Sequence, residues 1–175
     1  LNNYLTPLEQ INIVNSIIYN MYKFKGFELD ENKPNHYFIN EVIETRQGNN
    51  YSLGIIYQIL CEMLDIPVYA IQLPKQYILA YYDTLHDFFK KEKAPIHKIQ
   101  FYIDPSNGMI YTQQDVDAFV SKYAIETDEE TFLPLTNKTI LYKNIDALSQ
   151  VYQISQEDDK VKELNKLMSL YHEDN

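Results

Sequence analysis

The spacing of hydrophobic positions divides the chain into a helical beginning, a strand-rich middle and a helical end. Thr6 and Glu9 form a predicted capping box with Pro7 at the first helical position, and apolar residues then recur at helical spacing through LTPLEQINIVNSIIYNMYKF. HYFINEVIETR predicts a short helix that ends before Gly48, which is well placed to be its C-terminal stop. RQGNNYSLGIIYQILCEML predicts a loop followed by a longer buried helix.

The middle of the chain has short runs of β-branched and aromatic residues separated by turn signals. VYAIQL, YILAYYD, KIQFYIDP and NGMIYT are therefore predicted to be strands of an antiparallel meander. A longer charged excursion, TLHDFFKKEKAPIH, separates the second run from the third. Helices followed by a meander and more helices are typical of an α+β fold, so we expect a helix packed on a small antiparallel sheet to form the core.

The last part of the chain returns to helical spacing. TQQDVDAFVSKYAIE predicts a helix, and an acidic linker then leads to two amphipathic segments that predict a helical hairpin resembling one tetratricopeptide-like unit. The predicted organisation is a domain over residues 1–125, a linker over 126–135 and a C-terminal hairpin over 136–175.

Charge and cysteine content narrow the classes of function. A net charge of −10 argues against nucleic-acid binding, since only KKEK (90–93) approaches a basic cluster, and no apolar run approaches the ~20 residues of a membrane span. Cys61 is the only cysteine in the sequence, so there is no disulfide framework, and this predicts a reducing, cytoplasmic location. The opening LNNYLT has neither Met nor a signal-peptide pattern, as expected of a processed form or a segment of a longer protein.

The chain offers few groups for catalysis or for cofactors. Its four histidines are scattered and it has no glycine-rich phosphate loop, so we predict no metal and no cofactor. Cys61 falls well inside the long helix, where a cysteine is usually a core residue. Ser52 lies near the start of that helix without a local base, so capping by Asn49, Asn50 or Ser52 is the favoured interpretation.

Several stretches together resemble the SirB-type branch of the transglutaminase-like superfamily. They are NHYFINEVIETRQGNNYSLGIIYQILCEMLDIPVYAIQLPKQYILAYYD and FYIDPSNGMIYT, and ETRQGNNYSLGIIY and YIDPSNG are the most specific parts. In that branch V-x-x-x-R-x-G precedes a Leu-rich helix, and P-x-H-F and I-D-P follow on successive strands. The tail also resembles the tetratricopeptide-like end of those proteins. The resemblance implies a papain-like core.

The same resemblance implies that the catalytic machinery is degenerate. Active members of the wider superfamily use Cys at the start of the central helix, then His and Asp on the next two strands. These positions fall on Asn50, Gln76 and Asp104 in this chain. Asn cannot supply a thiolate and Gln cannot exchange a proton near neutral pH. With Tyr51 and Ser52 they form a predicted polar pocket, although a turn-capping Asp104 and a structural Gln76 explain the same residues.

Two functions of different class follow from these residues. The first is a catalytically inactive domain that acts as a protein-interaction or scaffold module, with a protein partner and the C-terminal hairpin as contact surface. The alternative is a hydrolase, or a binder of an amide-containing ligand, that uses Ser52, Gln76 and Asp104. Homodimerisation through the C-terminal helices is a further possibility.

Overall fold

The computed structural model describes residues 5–27, 33–74, 76–83, 98–123 and 128–173. The charged excursion at 84–97 lies outside these described residues. The first helical segment consists of α1, Pro7–Asn15, which continues as a π-helix over Ser16–Met21. Its predicted capping box is confirmed: the Glu9 carboxylate accepts the Thr6 N–H at 2.8 Å, and Thr6 Oγ1 accepts the Glu9 N–H at 3.4 Å.

The second predicted helix is shorter than expected and ends at a different residue. Pro34–Tyr37 is a 3₁₀ turn, Phe38 is extended, and α2 covers only Ile39–Thr45. The helix does end before Gly48, but the predicted role of Gly48 as its C-terminal stop is wrong, because Arg46 takes the left-handed conformation with φ 60° and its N–H donates to the Val42 carbonyl at 2.8 Å. Gly48 is required for packing instead: a Cβ there would lie 2.7 Å from Ser52 Oγ.

A short parallel pair, which the sequence pattern did not predict, connects the end of the first helical segment to the end of α2. β1, Lys25–Gly26, pairs with β2, Gln47–Gly48. The Gly26 N–H donates to the Ser106 carbonyl at 3.0 Å on its other side. A Cβ on Gly26 would lie 2.4 Å from Ser106 Cβ, so only glycine allows this approach.

The long central helix and the antiparallel meander are confirmed. The helix α3 covers Asn50–Met63. The sheet order is β3 (Val68–Leu73), β4 (Gln76–Tyr82), β5 (Ile99–Ile103) and β6 (Ile110–Tyr111), with each neighbouring pair antiparallel. Helices and an antiparallel sheet in this order form the predicted α+β fold.

Both faces of the sheet are buried, which explains why β4 is apolar without alternation. One face packs against α1 and α3: Tyr77, Leu79 and Ile103 of the sheet and Tyr57 and Cys61 of α3 belong to the same buried cluster. The other face packs against α4, Gln113–Lys122, through Val116, and against Phe132 from a 3₁₀ turn at Glu129–Phe132. Successive residues of β4 therefore point into two different cores.

The predicted helical hairpin is confirmed as two helices, α5 over Asn137–Ile154 and α6 over Asp158–Glu173. Ile140 of α5 belongs to the core between α3 and the sheet, while Leu148 and Tyr152 pack against Tyr37 in a smaller cluster. Within the predicted linker, the Leu135 N–H donates to the Ala70 carbonyl at 2.8 Å. The linker and the start of the hairpin thus pack directly on the domain, and the three-part division stays a prediction.

Candidate functional site

The N-terminus of α3 is closed by a reciprocal cap between Asn49 and Ser52. Asn49 Oδ1 accepts the Ser52 N–H at 3.0 Å, and Ser52 Oγ accepts the Asn49 N–H at 3.1 Å. The Ser52 side chain is fully buried, and its hydroxyl donates to the His36 carbonyl at 2.7 Å. The hydroxyl is thus committed to a backbone acceptor and has no access to solvent. This geometry favours the capping interpretation of Ser52.

A second amide, Asn144 from α5, joins this cap. Asn144 Nδ2 donates to the Tyr37 carbonyl at 3.1 Å, and Asn144 Oδ1 lies 3.5 Å from Asn49 Nδ2, the side-chain amide nitrogen. That nitrogen also donates to the His36 carbonyl at 3.2 Å. Asn49 and Asn144 are both buried. Their hydrogen bonds link α5, the 3₁₀ turn and the start of α3.

Sequence reasoning missed Asn144, although its position carried a usable signal. The buried stripe of α5 repeats every four residues through Ile140, Asn144, Leu148 and Tyr152. An amide in the middle of an apolar stripe must find partners when it is buried. The pattern therefore indicated a buried polar contact, but it did not indicate which backbone groups the amide would meet.

His36 lies beneath this cap as a buried, uncharged ring. It stacks on Phe27 with 4.7 Å between ring centroids, and its Nδ1 accepts the Lys33 N–H at 3.2 Å. Burial, and secondarily the nearby positive charge of Lys33, lowers the pKa of His36. Its role in the structure is to fix the 3₁₀ turn that receives Asn49 and Asn144.

Asn50 and Tyr51 begin α3 and are half-buried. The Tyr51 ring packs against Tyr77 with 4.7 Å between centroids. Burial, followed by the negative charge of Asp146, raises the pKa of Tyr51, so its hydroxyl stays protonated. Asn50 occupies the first helical position, which is where the family resemblance places the nucleophile.

The strand register separates Gln76 from α3. Gln76 begins β4 opposite Leu73, and both Leu73 and Ile78 belong to the core on the face away from α3. Tyr77, the next residue, faces α3: it packs against Gly54, and its hydroxyl donates to Gln58 Oε1 at 3.3 Å. The space beside the first turns of α3 is therefore filled by a buried tyrosine, and Gln76 points by register to the opposite side of the sheet.

Asp104 organises the turn that follows β5. Its carboxylate accepts the Ser106 N–H at 2.8 Å and the Ser106 hydroxyl at 2.7 Å, while its carbonyl accepts the Gly108 N–H at 2.8 Å. Gly108 has φ 76°, which favours glycine in this turn. Within the described residues no hydrogen bond joins Asp104 to Asn50 or Gln76. The structure thus gives Asp104 the turn-capping role, and the predicted pocket of Asn50, Tyr51, Ser52, Gln76 and Asp104 stays a prediction.

A polar network that sequence reasoning also missed holds this turn against the helices. Asn15 Nδ2 donates to the Gly108 carbonyl at 2.8 Å, and Asn15 Oδ1 accepts the Tyr57 hydroxyl at 2.9 Å. The Tyr19 hydroxyl donates to the Pro105 carbonyl at 2.8 Å. Burial and the charge of Asp104 raise the pKa of Tyr19, so this donor stays protonated. The network fixes the turn without presenting a reactive group.

Cys61 is a core residue, as its place in α3 indicated. Its side chain is fully buried, and burial raises the pKa of the thiol to about 12. In the described part of the chain, no group of three His, Cys, Asp or Glu side chains is arranged to hold a metal ion. No helix in the same residues is long and apolar enough to cross a membrane.

These observations define an α+β domain in which an amide-capped central helix packs on an antiparallel meander. A family model described as the transglutaminase-like superfamily matches residues 1–146, and the chain belongs to that superfamily. No curated protein and no solved structure matches the chain in the corresponding comparisons.

Proposed function

We propose that this chain is a catalytically inactive member of the SirB-type branch of the superfamily, and that it acts in the cytoplasm as a protein-interaction or scaffold module. The observation that carries the proposal is the state of the N-terminus of α3. Asn50 stands where a thiol nucleophile would begin the helix, and the adjacent Asn49 is buried between Ser52 and Asn144. An amide cap stabilises the helix but supplies neither a nucleophile nor a base.

Gln76 and Tyr77 support the same proposal. A base that activates a nucleophile must come within hydrogen-bonding distance of it. The residue at the expected histidine position faces the other core, and the α3 side of β4 carries a protonated, buried Tyr77. The hydrolase alternative has less support, because the Ser52 hydroxyl is fully buried and donates to a backbone carbonyl.

The C-terminal hairpin, which we propose to be tetratricopeptide-like, is the proposed contact surface for a protein partner or a second copy of the chain. A groove of about 220 Å³ between α5 and α6 is lined by Leu141, Ile145, Leu167 and Leu170 among others. Leu141, Leu167 and Leu170 are each more than half exposed. Exposed apolar side chains in one groove are typical of a protein contact.

The test combines a catalytic assay with an interaction assay on the intact chain. Purified protein is incubated with glutamine-containing peptides and an amine donor, and released ammonia, cross-linked product and hydrolysed amide are measured. We expect no product above the level of an Asn50→Ala, Asp104→Ala double variant. Turnover by the intact chain that this double variant abolishes would overturn the proposal.

The interaction arm uses the intact chain and a Leu167→Glu, Leu170→Glu variant as baits in native extract. A matched control carries Glu at Ser169 and Asn165, which are exposed positions of the same helix. We expect a partner to be retained by the intact chain and the control, and lost from the groove variant. Identical recovery with all three baits would contradict the role of the hairpin.

A further inference from the structure

A basic and aromatic surface lies where the first helical segment and α2 both end. Lys23 and Arg46 each have φ 60°; Arg46 directly follows α2, and Lys23 lies two residues after the end of the first helical segment at Met21. The Lys25 N–H donates to the Arg46 carbonyl at 2.9 Å through the β1–β2 pair. The pairing of β1 with β2 holds Lys25 beside Arg46, the residue directly before β2, although Arg46 is twenty-one residues further along the chain.

The charge of this surface is opposite to that of the chain. Residues 22–27 and 42–48 contain Lys23, Lys25 and Arg46 against a single carboxylate, Glu44, while the chain has a net charge of −10. Arg46 is the only arginine in the sequence. Among the described residues, the ion pairs are at the start of α6, Lys160 with Glu157 (the residue before the helix) and Lys162 with Asp159, and none involves these three cations.

Exposed apolar groups lie beside these charges. The Arg46 guanidinium carbon is 6.0 Å from the centre of the Tyr22 ring, and Tyr22 is 53% exposed. Ile43 stands one helical turn before Arg46 and is 56% exposed. Arginine and tyrosine are enriched, with tryptophan, at the energetically important positions of protein interfaces. An arginine already oriented by stacking also loses less side-chain entropy when it pairs with a carboxylate.

We propose that this surface, defined as Tyr22, Lys23, Lys25, Ile43 and Arg46, binds a short acidic segment of a partner protein. Carboxylates of the segment pair with Arg46 and the two lysines, and an apolar side chain between them packs on Tyr22 and Ile43. The proposal rests on the interaction role proposed above and adds a second surface to it, distinct from the groove of the hairpin.

Charge favours a short peptide segment over an extended polyanion. A chain of net charge −10 is repelled by nucleic acid and by an anionic membrane, both of which present charge over a wide surface. A segment with a few carboxylates interacts mainly within a Debye length, about 8 Å at physiological ionic strength, and so responds to the local cations.

The experiment selects peptides from a random display library on the immobilised full chain. The selected peptide is then made synthetically with a fluorescent label, beside an analogue in which Asp and Glu become Asn and Gln. Affinity is measured by anisotropy for the intact chain, for a Lys25→Glu, Arg46→Glu variant and for Lys122→Glu. Lys122 is the matched control, since it is exposed and stacks on Tyr123 at 5.6 Å in another part of the fold.

We expect selected peptides rich in Asp and Glu around an apolar residue, with affinity that falls as salt is added. The double variant should bind at least about tenfold more weakly, and so should the neutral analogue, while Lys122→Glu binds as the intact chain does. Unchanged unfolding midpoints show that the variants are folded. A smaller substitution, Arg46→Gln, serves if the double variant does not fold, and it should also weaken binding.

Other outcomes overturn the proposal. They are a lack of acidic enrichment, equal binding by the double variant and the control, and tighter binding to phosphatidylserine vesicles than to the peptides. Turnover in the catalytic assay together with intact peptide binding would overturn the proposed inactivity and leave this surface standing. No turnover in the catalytic assay together with no binding of acidic peptides would overturn the role of this surface and leave the proposed inactivity standing.

Discussion

Asn49 and Asn144 show at the residue scale how a polar pair can be buried between helices that are far apart in sequence. Both side-chain amides donate to backbone carbonyls of the 3₁₀ turn, Asn49 also donates to Asn144 Oδ1, and Asn49 Oδ1 accepts the Ser52 N–H. Buried polar groups that are fully bonded stabilise one arrangement, whereas removal of one member leaves its partners unsatisfied.

Asn144→Ala is therefore expected to destabilise the protein. It leaves the buried Tyr37 carbonyl without its donor, and the expected loss is about 1–3 kcal/mol in the free energy of unfolding. Urea denaturation measures this loss. Asn165→Ala, at an exposed position of α6, is the matched control and should change stability by less than about 0.5 kcal/mol. Equal effects of the two substitutions would contradict the role of the amide pair.

The lowered pKa of the buried His36 predicts that the protein loses stability in mild acid. Its pKa in the folded protein is lower than the ordinary value of about 6.5, so the unfolded chain binds a proton first as the pH falls. The stabilisation is fully present above about pH 6.5 and is lost as the pH falls towards the folded pKa. Urea unfolding at several pH values above about 5 should show this loss, and His36→Gln should reduce it. A pH dependence that His36→Gln leaves unchanged would contradict it.

At the scale of single elements, the start of α3 is where the active site was predicted, and the space beside it is filled by Tyr77 of β4. Its cap, its length and its apolar face follow the sequence pattern, but the residues it meets depend on the register of β4. Gly54 allows Tyr77 to approach, because a Cβ at that position would lie 2.4 Å from a ring carbon of Tyr77. This close contact fills the space next to the start of the helix.

Gly54→Ala tests that packing, because helix propensity and the contact with Tyr77 predict opposite changes in the free energy of unfolding. Helix propensity alone would make alanine more stable by about 1 kcal/mol. Because Tyr77 is only 3% exposed and its ring cannot swing into solvent, we expect a loss of about 1–3 kcal/mol in the free energy of unfolding. Glu62→Ala, at an exposed position of the same helix, is the control and should have little effect. A stabilising Gly54→Ala would show that Tyr77 does not occupy this position.

The register also predicts that the catalytic pair cannot be rebuilt at the aligned positions. Asn50→Cys should introduce a thiol that alkylates readily at the helix start, while Cys61 stays unreactive because of its raised pKa. Adding Gln76→His should leave the pH dependence of alkylation unchanged, since residue 76 faces the other core. Iodoacetamide rates across pH measure this. A thiol pKa lowered only in the double variant would place residue 76 beside the helix start.

At the scale of the whole molecule, the hairpin is attached to the domain by α5 and leaves its groove exposed. α5 contributes Ile140 to the main core and Asn144 to the buried cap, whereas α6 packs on α5 through partly buried residues such as Val161 and Leu164. An apolar groove on an otherwise acidic chain is the basis of the proposed self-association.

Sedimentation velocity over a range of concentrations tests that self-association. A dimer formed through the hairpin should dissociate in the Leu167→Glu, Leu170→Glu variant, because burying a carboxylate in an apolar contact is unfavourable. The Ser169→Glu, Asn165→Glu control should sediment as the intact chain does. An intact chain that stays monomeric at the highest concentrations would remove the dimer from the proposal.

Much of the local structure could be predicted from the sequence. The box of Thr6 and Glu9, the cap of α3, the four strands of the meander and the two helices of the tail are all specified by neighbouring residues. The helix stop at Gly48 was wrong for a reason that is not local. Gly48 is needed for its contact with Ser52, and Arg46 accepts the left-handed conformation because the β1–β2 pair holds its carbonyl.

The sequence by itself determined the kinds of element, their order and the chemical nature of the candidate site, because capping, periodicity and ionisable groups are properties of short stretches. The tertiary structure alone decided which side of the sheet Gln76 faces, that Asn144 reaches the cap of α3, and that Lys25 and Arg46 share a surface. These facts depend on register and on contacts between distant residues. A shift of one residue reverses the face of every side chain in a strand, so local pattern does not determine them.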